Sequence, residues 1–250
     1  MATTIGRSVG VCYQLYALAR TKGTIQVLAS QFKANFDIIR NLVKVAAGGT
    51  GQFLISSASW VFLTRILSDF GPSIVAGYTI AIRIIVFTIL PSWGMANAAA
   101  TLVGQNLGAN KPDRAESSVW RAALFNFVFL ALIALVFFIF SRPIISWFNA
   151  DPITVNTGVN CLRIICLGYL FFAYGMVISQ SFNGAGDTLT PTLMNLFCFW
   201  AVEIPLAYLL AKQMNMGPEG VYTSVAFSES LLAVVGVVLF KRGKWKNKKV

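Results

Sequence analysis

Glu203 and Glu229 stand inside long apolar runs, residues 191–211 and 221–240. A charge at the centre of a membrane-spanning helix costs about 2.5–3.5 kcal/mol on insertion scales, so each must face a bundle interior, water or a partner. Two arginines share this situation, Arg83 in 74–103 and Arg163 in 153–182. Glu203 is 8 residues before Ala211 and Glu229 is 8 residues after Val221. At a rise of about 1.5 Å per residue, both carboxyls lie about 12 Å from the same end of the bundle. Arg83 and Arg163, 9 and 10 residues after Ile74 and Ile153, fall at comparable depth. The spacing therefore predicts one layer of four charges on four helices, and that layer supports two chemistries. A desolvated carboxyl can exchange a proton or Na⁺ as a cavity changes sides, or each glutamate can close a static ion pair with an arginine as a strut between helices.

Other chemistry is poorly provided for. The chain has no histidine, which removes the commonest general base and metal ligand and every Ser-His-Asp or Cys-His arrangement. Cys12, Cys161, Cys166 and Cys198 lie in apolar stretches without a CxxC pair, so neither a disulfide framework nor a zinc site is indicated. Gly243-Lys244 runs into Trp245 and lacks the upstream glycine of a phosphate-binding loop. The reading is a protein that is not an enzyme, needs no cofactor, and draws its work from a gradient of Na⁺ or H⁺.

The elements that carry these residues follow from composition. Of 250 residues, 56% are hydrophobic and 12% charged, with a mean hydropathy of +0.69, which leaves too little polar surface for a soluble domain. Six apolar segments, about 44–67, 74–103, 114–140, 153–182, 191–211 and 221–240, have the roughly 20 residues an α-helix needs to cross a bilayer, whereas barrel strands need about 10. A shorter one, 5–19, carries Arg7. The fold class is thus an all-α integral membrane bundle. Asp113 with Glu116 reads as a capping box, and Asp151-Pro152 and Thr190-Pro191 read as caps before a first-turn proline. Pro91 and Pro205, inside spans, are expected to bend or break their helices.

A net charge of +11 raises nucleic acid as a partner, but the basic residues are distributed as in a membrane protein. One set of helix ends holds Arg20, Lys22, Lys33, Arg40 and Lys44, then Lys111, Arg114 and Arg121, then the tail from Lys241 to Lys249. The other ends hold little beyond Arg65, Arg142 and Lys212. The positive-inside rule then predicts a multi-pass protein of an inner or plasma membrane, with the linker and C-terminus cytoplasmic and the tail near anionic headgroups; no nucleic-acid binding is expected. Arg7, an apolar run and Ala17-Leu18-Ala19 imitate a secretory signal, yet Tyr13, Gln14 and Tyr16 make a poor signal core. The segment reads instead as a truncated span.

Specific strings add to hydropathy. Ala98-Ala99-Ala100-Thr101-Leu102-Val103-Gly104-Gln105-Asn106-Leu107-Gly108-Ala109, running on to Pro112-Asp113-Arg114-Ala115-Glu116, resembles the multidrug and toxic compound extrusion (MATE) family. So do Phe182-Asn183-Gly184-Ala185-Gly186-Asp187-Thr188, Ile204-Pro205-Leu206-Ala207 and the closing Phe240-Lys241-Arg242-Gly243-Lys244-Trp245-Lys246. The glycines in these strings also have a plain structural role, allowing sharp turns and close helix approach. The resemblance implies two pseudo-symmetric six-helix lobes that export organic, often cationic, compounds in exchange for Na⁺ or H⁺ by alternating access. This chain then corresponds to the end of the first lobe (1–19), an inter-lobe linker (20–43), the second lobe (44–240) and a basic cytoplasmic tail (241–250). The rest of the first lobe is expected in the same longer chain or in a second subunit, because one lobe supplies one wall of the substrate cavity.

The resemblance implies a coupling acid on the first or fourth helix of this lobe or an Asp on the first helix of the other lobe, but 44–67 has no carboxylate after Lys44 and 153–182 has none. If coupling resides in this lobe, Glu203 and Glu229 are the ion-coupling candidates, with Arg83 and Arg163 as their charge partners. Gln52, Tyr174, Asn195 and Trp200 are the leading candidates for the cavity wall, with Trp60, Tyr78 and Trp93 behind them, because aromatic faces attract organic cations. A lipid-linked oligosaccharide flippase using Arg83 and Arg163, and a membrane scaffold without transport, are the alternative readings.

Overall fold

The computed structural model describes residues 2–20 and 35–247. The chain divides into two units, Met1–Lys44 and Val45–Val250. The first holds helix α1 (Ala2–Arg20) and the start of α2 (Phe36–Ser68). Residues 21–34 of the expected linker, with Lys22 and Lys33, lie outside the described residues, as do Lys248 and Lys249 of the tail. The start of α2 corrects the sequence reading, which began this helix at 44. Asn35 accepts from the backbone N–H of Asp37 at 3.0 Å and of Ile38 at 3.4 Å, and Asp37 sits in the first turn where the helix dipole favours an acid.

The second unit continues with α3 (Pro72–Gly108), α4 (Pro112–Ser146), α5 (Pro152–Gly184), α6 (Leu189–Gln213) and α7 (Pro218–Lys241). These five are long and apolar enough to cross a membrane. The polar run Gly48–Gln52 and Ser56, Ser57 and Ser59 make α2 less apolar than the rest. Prolines open α3, α4, α5 and α7 at the first turn, where the missing N–H costs nothing. α5 is the central helix: it packs on α3, α4 and α7 and buries residues on all its faces. Gly168 and Gly175 let it approach α7 closely, since a Cβ at either would sit 3.2 Å from the Cα of Ala226 or of Ala233. Outward faces are apolar, with Phe125, Leu132, Phe138 and Phe140 exposed, as suits lipid rather than water.

Capping follows the sequence at one of three predicted places. Asp151 accepts from the Thr154 N–H at 2.9 Å and the Thr154 hydroxyl at 2.7 Å, and that hydroxyl holds its carboxyl below the usual carboxylate range. Asp151→Ala should therefore lower the melting temperature in detergent. Because the folded carboxyl is the more acidic, its contribution is full above the ordinary aspartate range and fades as pH falls below it. The Asp113–Glu116 capping box does not form; both carboxylates go to Lys246, at 3.2 and 2.6 Å. Thr190 lies inside α6 rather than before it, and Asp187 caps it instead, accepting from its N–H at 3.4 Å and its hydroxyl at 2.8 Å.

Pro91 leaves α3 unbroken. Pro205 does not leave α6 regular, because its ring cannot donate and would strike the carbonyl four residues back. The ladder widens over Leu196–Glu203, so that the Ile204 N–H reaches the Phe199 carbonyl, and widens again over Leu209–Gln213.

Candidate functional site: a pair of buried carboxyls between three helices

α2 and α6 run side by side in the same direction. Thr192 donates to the Gly48 carbonyl at 3.1 Å, the Trp200 indole to the Ile55 carbonyl at 3.0 Å, and Lys212 to Asp69 at 2.6 Å. Lys212 holds the Asp69 carboxyl below its usual range at the far end of this seam. Between these ties Ser59 donates to Glu203 Oε2 at 3.3 Å. Glu203 is 3% exposed and closes the widened segment of α6 two residues before Pro205. From α7, Ser228 lies beside the same carboxyl, and the next residue, Glu229, presents a solvent-inaccessible Oε2 with no hydrogen-bond partner. Buried Cys198 on α6 lies near both carboxyls.

Residue counting puts the two glutamates at one depth, and the structure places both within electrostatic reach of Cys198. It does not bring the arginines. Arg83 is exposed, and Arg163 is exposed too, donating to Ser141 at 2.9 Å with its guanidinium over the Phe138 ring at 5.6 Å. Neither is among the ion pairs of the described residues, all of which lie at helix ends. The expected Arg–Glu struts are therefore corrected: position 83 faces away from the buried stripe Gly77, Tyr78, Ala81, Ile82 and Ile85, and position 163 away from Cys161, Leu162, Ile165 and Cys166. Among the described residues neither carboxyl has an ion pair to a basic group, and buried as bare charges they would be strongly destabilising.

The cavity candidates divide. Gln52 is consumed, donating to Asn183 at 3.1 Å and the Thr188 carbonyl at 3.1 Å while accepting from Asn183 at 3.2 Å, so it clamps α2, α5 and α6 rather than offering an amide. Tyr174 packs between Trp120 and Phe127, ring centroids 6.5 and 5.7 Å away. Tyr78 is buried and stacked on Tyr222 at 6.0 Å. Asn195 is half-buried just before the widened turns of α6, and Trp200 keeps an exposed face while its edge meets Phe62 at 5.8 Å. Trp60 and Trp93 are also exposed. Sequence reasoning missed Ser59, Ser228 and the fully buried Asn126, whose amide donates to the Ala173 carbonyl at 3.0 Å. Only Asn126 carried a signal, an amide within the apolar run of α4.

A bundle with five helices long and apolar enough to cross a membrane is the architecture of a multi-pass membrane protein. The MatE family model matches residues 50–209, and the chain belongs to the MATE family. Membership places it among transporters rather than enzymes. It is 21% identical over 250 residues to the probable multidrug resistance protein NorM of Thermotoga maritima, covering 100% of this chain and 54% of that relative. Its fold matches a MOP superfamily transporter from Pyrococcus furiosus, whose binding pocket of reverse polarity suggests a different function, with a TM-score of 0.90 and 21% identity over 100% of this chain and 56% of that one. It also matches the MATE transporter ClbM in complex with Rb⁺, with a TM-score of 0.80 and 23% identity over 86% of this chain and 51% of that one. The chain thus spans about half the length of the relatives it matches.

Proposed function

We propose that the chain forms one lobe of an ion-driven antiporter that exports organic, cationic drug-like compounds by alternating access, with H⁺ or Na⁺ held at Glu203 and Glu229. The observation that carries this reading is the buried Glu203 carboxyl and the solvent-shielded Oε2 of Glu229 on neighbouring helices, neither in an ion pair with a basic group among the described residues. Relatives named as probable multidrug resistance proteins support drug-like cargo, and a structural neighbour in complex with Rb⁺ supports a monovalent cation. A second lobe, in the same longer chain or in a partner subunit, completes the cavity against which Trp200 presents its exposed face.

Uptake and release of a small fluorescent cation by vesicles carrying the full gene product tests the activity. Export driven by an imposed H⁺ or Na⁺ gradient is expected. Movement of lipid-linked oligosaccharide without cation export would replace this reading with the flippase, for which exposed Arg83 and Arg163 supply cationic groups, and the absence of both with a stably folded protein would leave the scaffold. The same protein tests orientation in an inner or plasma membrane. In a chain whose native cysteines are replaced, Lys244→Cys should react with an impermeant maleimide only from the cytoplasmic side; labelling from outside would invert the assigned topology.

A further inference from the structure

The end of the Val45–Val250 unit at which α3, α5 and α7 finish and α4 and α6 begin is unevenly charged. Its three acids are already committed. Gly243, at φ +69°, turns the chain back after α7, so that Trp245 stacks on Phe240 at 4.6 Å and donates its indole N–H to the Phe240 carbonyl at 3.0 Å. This hook delivers Lys246 to Asp113 and Glu116 on α4, and Glu116 in turn holds the ammonium more basic than an ordinary lysine. The third acid, Asp187, is buried as the cap of Thr190. Lys111, Arg114, Arg121, Lys241, Arg242 and Lys244 are exposed, and among the described residues none has a carboxylate within ion-pair distance. At the opposite end Arg65, Arg142 and Lys212 are matched in number by Asp69, Asp151 and Glu219.

The end of α7 also packs on α4, where Phe240 meets the Trp120 ring at 5.8 Å, so the cations that follow it belong to the same end of the bundle as those of α4. Along α4 a groove of about 480 Å³ is lined by Asp113, Glu116, Ser117, Trp120, Arg121 and Leu124. Its lining passes from Asp113 and Glu116 at the helix end, through the Ser117 hydroxyl and the Trp120 indole with Arg121 beside it, to Leu124, next to which Phe125 is exposed. That order matches a phospholipid read from headgroup to acyl chain, with the indole at the interfacial level tryptophan favours. Asp113 and Glu116 do not leave the groove anionic, because Lys246 pairs with both, Arg121 adds a cation to the lining and exposed Arg114 stands at the same end of α4.

We propose that this end is a binding site for an anionic phospholipid. Arg114 and Arg121 hold the phosphodiester, Lys241, Arg242 and Lys244 supply the surrounding positive field, and an acyl chain lies along Leu124. The reading requires only that the lobe sits in a membrane, so it stands apart from the transport reading. The committed occupant is lipid because the groove continues onto the apolar flank of α4.

The test uses the full gene product in vesicles of phosphatidylcholine mixed equally with phosphatidylglycerol, one of the two carrying brominated acyl chains that quench nearby indoles. The Trp120 signal is the difference between wild type and Trp120→Phe. Brominated phosphatidylglycerol should quench it roughly threefold more than brominated phosphatidylcholine, the preference expected of several basic groups at a headgroup surface. Arg114→Gln with Arg121→Gln should abolish the preference, and Lys241→Gln, Arg242→Gln and Lys244→Gln together should weaken it. Arg114→Lys with Arg121→Lys should retain it, and Arg65→Gln with Arg142→Gln, at the opposite end, should leave it unchanged. Equal quenching by the two lipids overturns the proposal, as does a preference that survives the Arg114→Gln/Arg121→Gln change in a protein that still elutes as wild type. Loss of the preference on adding inorganic phosphate would show a phosphate site rather than a lipid site, and would overturn it equally.

Discussion

Glu203→Gln should reduce gradient-driven export by about tenfold or more, the factor that about 1.4 kcal/mol of lost coupling produces, while leaving the protein folded. The amide matches the carboxyl in shape and can still accept from Ser59 at the 3.3 Å position, so packing between α2 and α6 is kept. What it loses is the ability to carry a negative charge, and with it the exchange of H⁺ or Na⁺. The absence of Arg83 and Arg163 from this site sharpens the expectation. Removing one member of a buried ion pair would strand the other charge and destabilise by about 3–5 kcal/mol, whereas removing a carboxyl with no basic partner should leave the melting temperature equal or higher. Glu229→Gln should share the transport defect, since its partnerless Oε2 lies beside the same seam. Ser59→Ala should give a milder loss, because it removes one hydrogen bond to the carboxyl and not the carboxyl itself. If both Gln variants export at the wild-type rate with the wild-type dependence on pH and Na⁺, the coupling acid is elsewhere in the transporter.

The contrast between glutamates and arginines shows which part of this site a sequence can reveal. Depth along a span is a count of residues at a fixed rise, so counting alone sets Glu203 and Glu229 in one layer. Direction around the helix is harder. In a soluble helix the polar face identifies itself, but in a membrane the lipid-facing side is as apolar as the packed one, and nothing in the local pattern tells that Arg83 and Arg163 point outward. Gln52 illustrates a second limit: its reciprocal pair with Asn183 joins residues 131 positions apart, which no local reading supplies. The helices themselves are legible in order and approximate extent, with Asp151-Pro152 marking the start of α5 to the residue. The start of α2 is misread because Arg40 and Lys44 look like loop charges, although Asn35 and Asp37 carry a cap and a first-turn acid ahead of them. The widened turns before Pro205 are only half legible, since a proline announces that a carbonyl must be avoided and not how the ladder will avoid it.

Gly184→Val should prevent the lobe from accumulating as a folded protein, and Gly184→Ala should destabilise it by about 1–3 kcal/mol, the range for forcing extra atoms into a packed interior. The reason is a backbone crossing. A Cβ at Gly184 would meet the Ala100 carbonyl oxygen, and would lie 2.7 Å from both the Cα and the carbonyl carbon of that residue. None of these atoms can swing aside as a side chain could, so α3 or α5 must shift. From the other side, a Cβ at Gly104 would stand 3.2 Å from the Gly184 carbonyl, which shows that the two helices touch there through backbone on both faces. A shift at this crossing would be felt at the clamp one residue away, where Asn183 holds Gln52 and Gln52 in turn holds the Thr188 carbonyl before α6, and through α6 at Glu203. The matched control is Gly108→Ala at the end of α3, where an added Cβ meets nothing within 4 Å and should change the melting temperature little. Thermal unfolding in detergent, followed by size-exclusion fluorescence, separates the two positions. Equal melting temperatures for Gly184→Ala and Gly108→Ala would mean that α3 and α5 are not in backbone contact at this level.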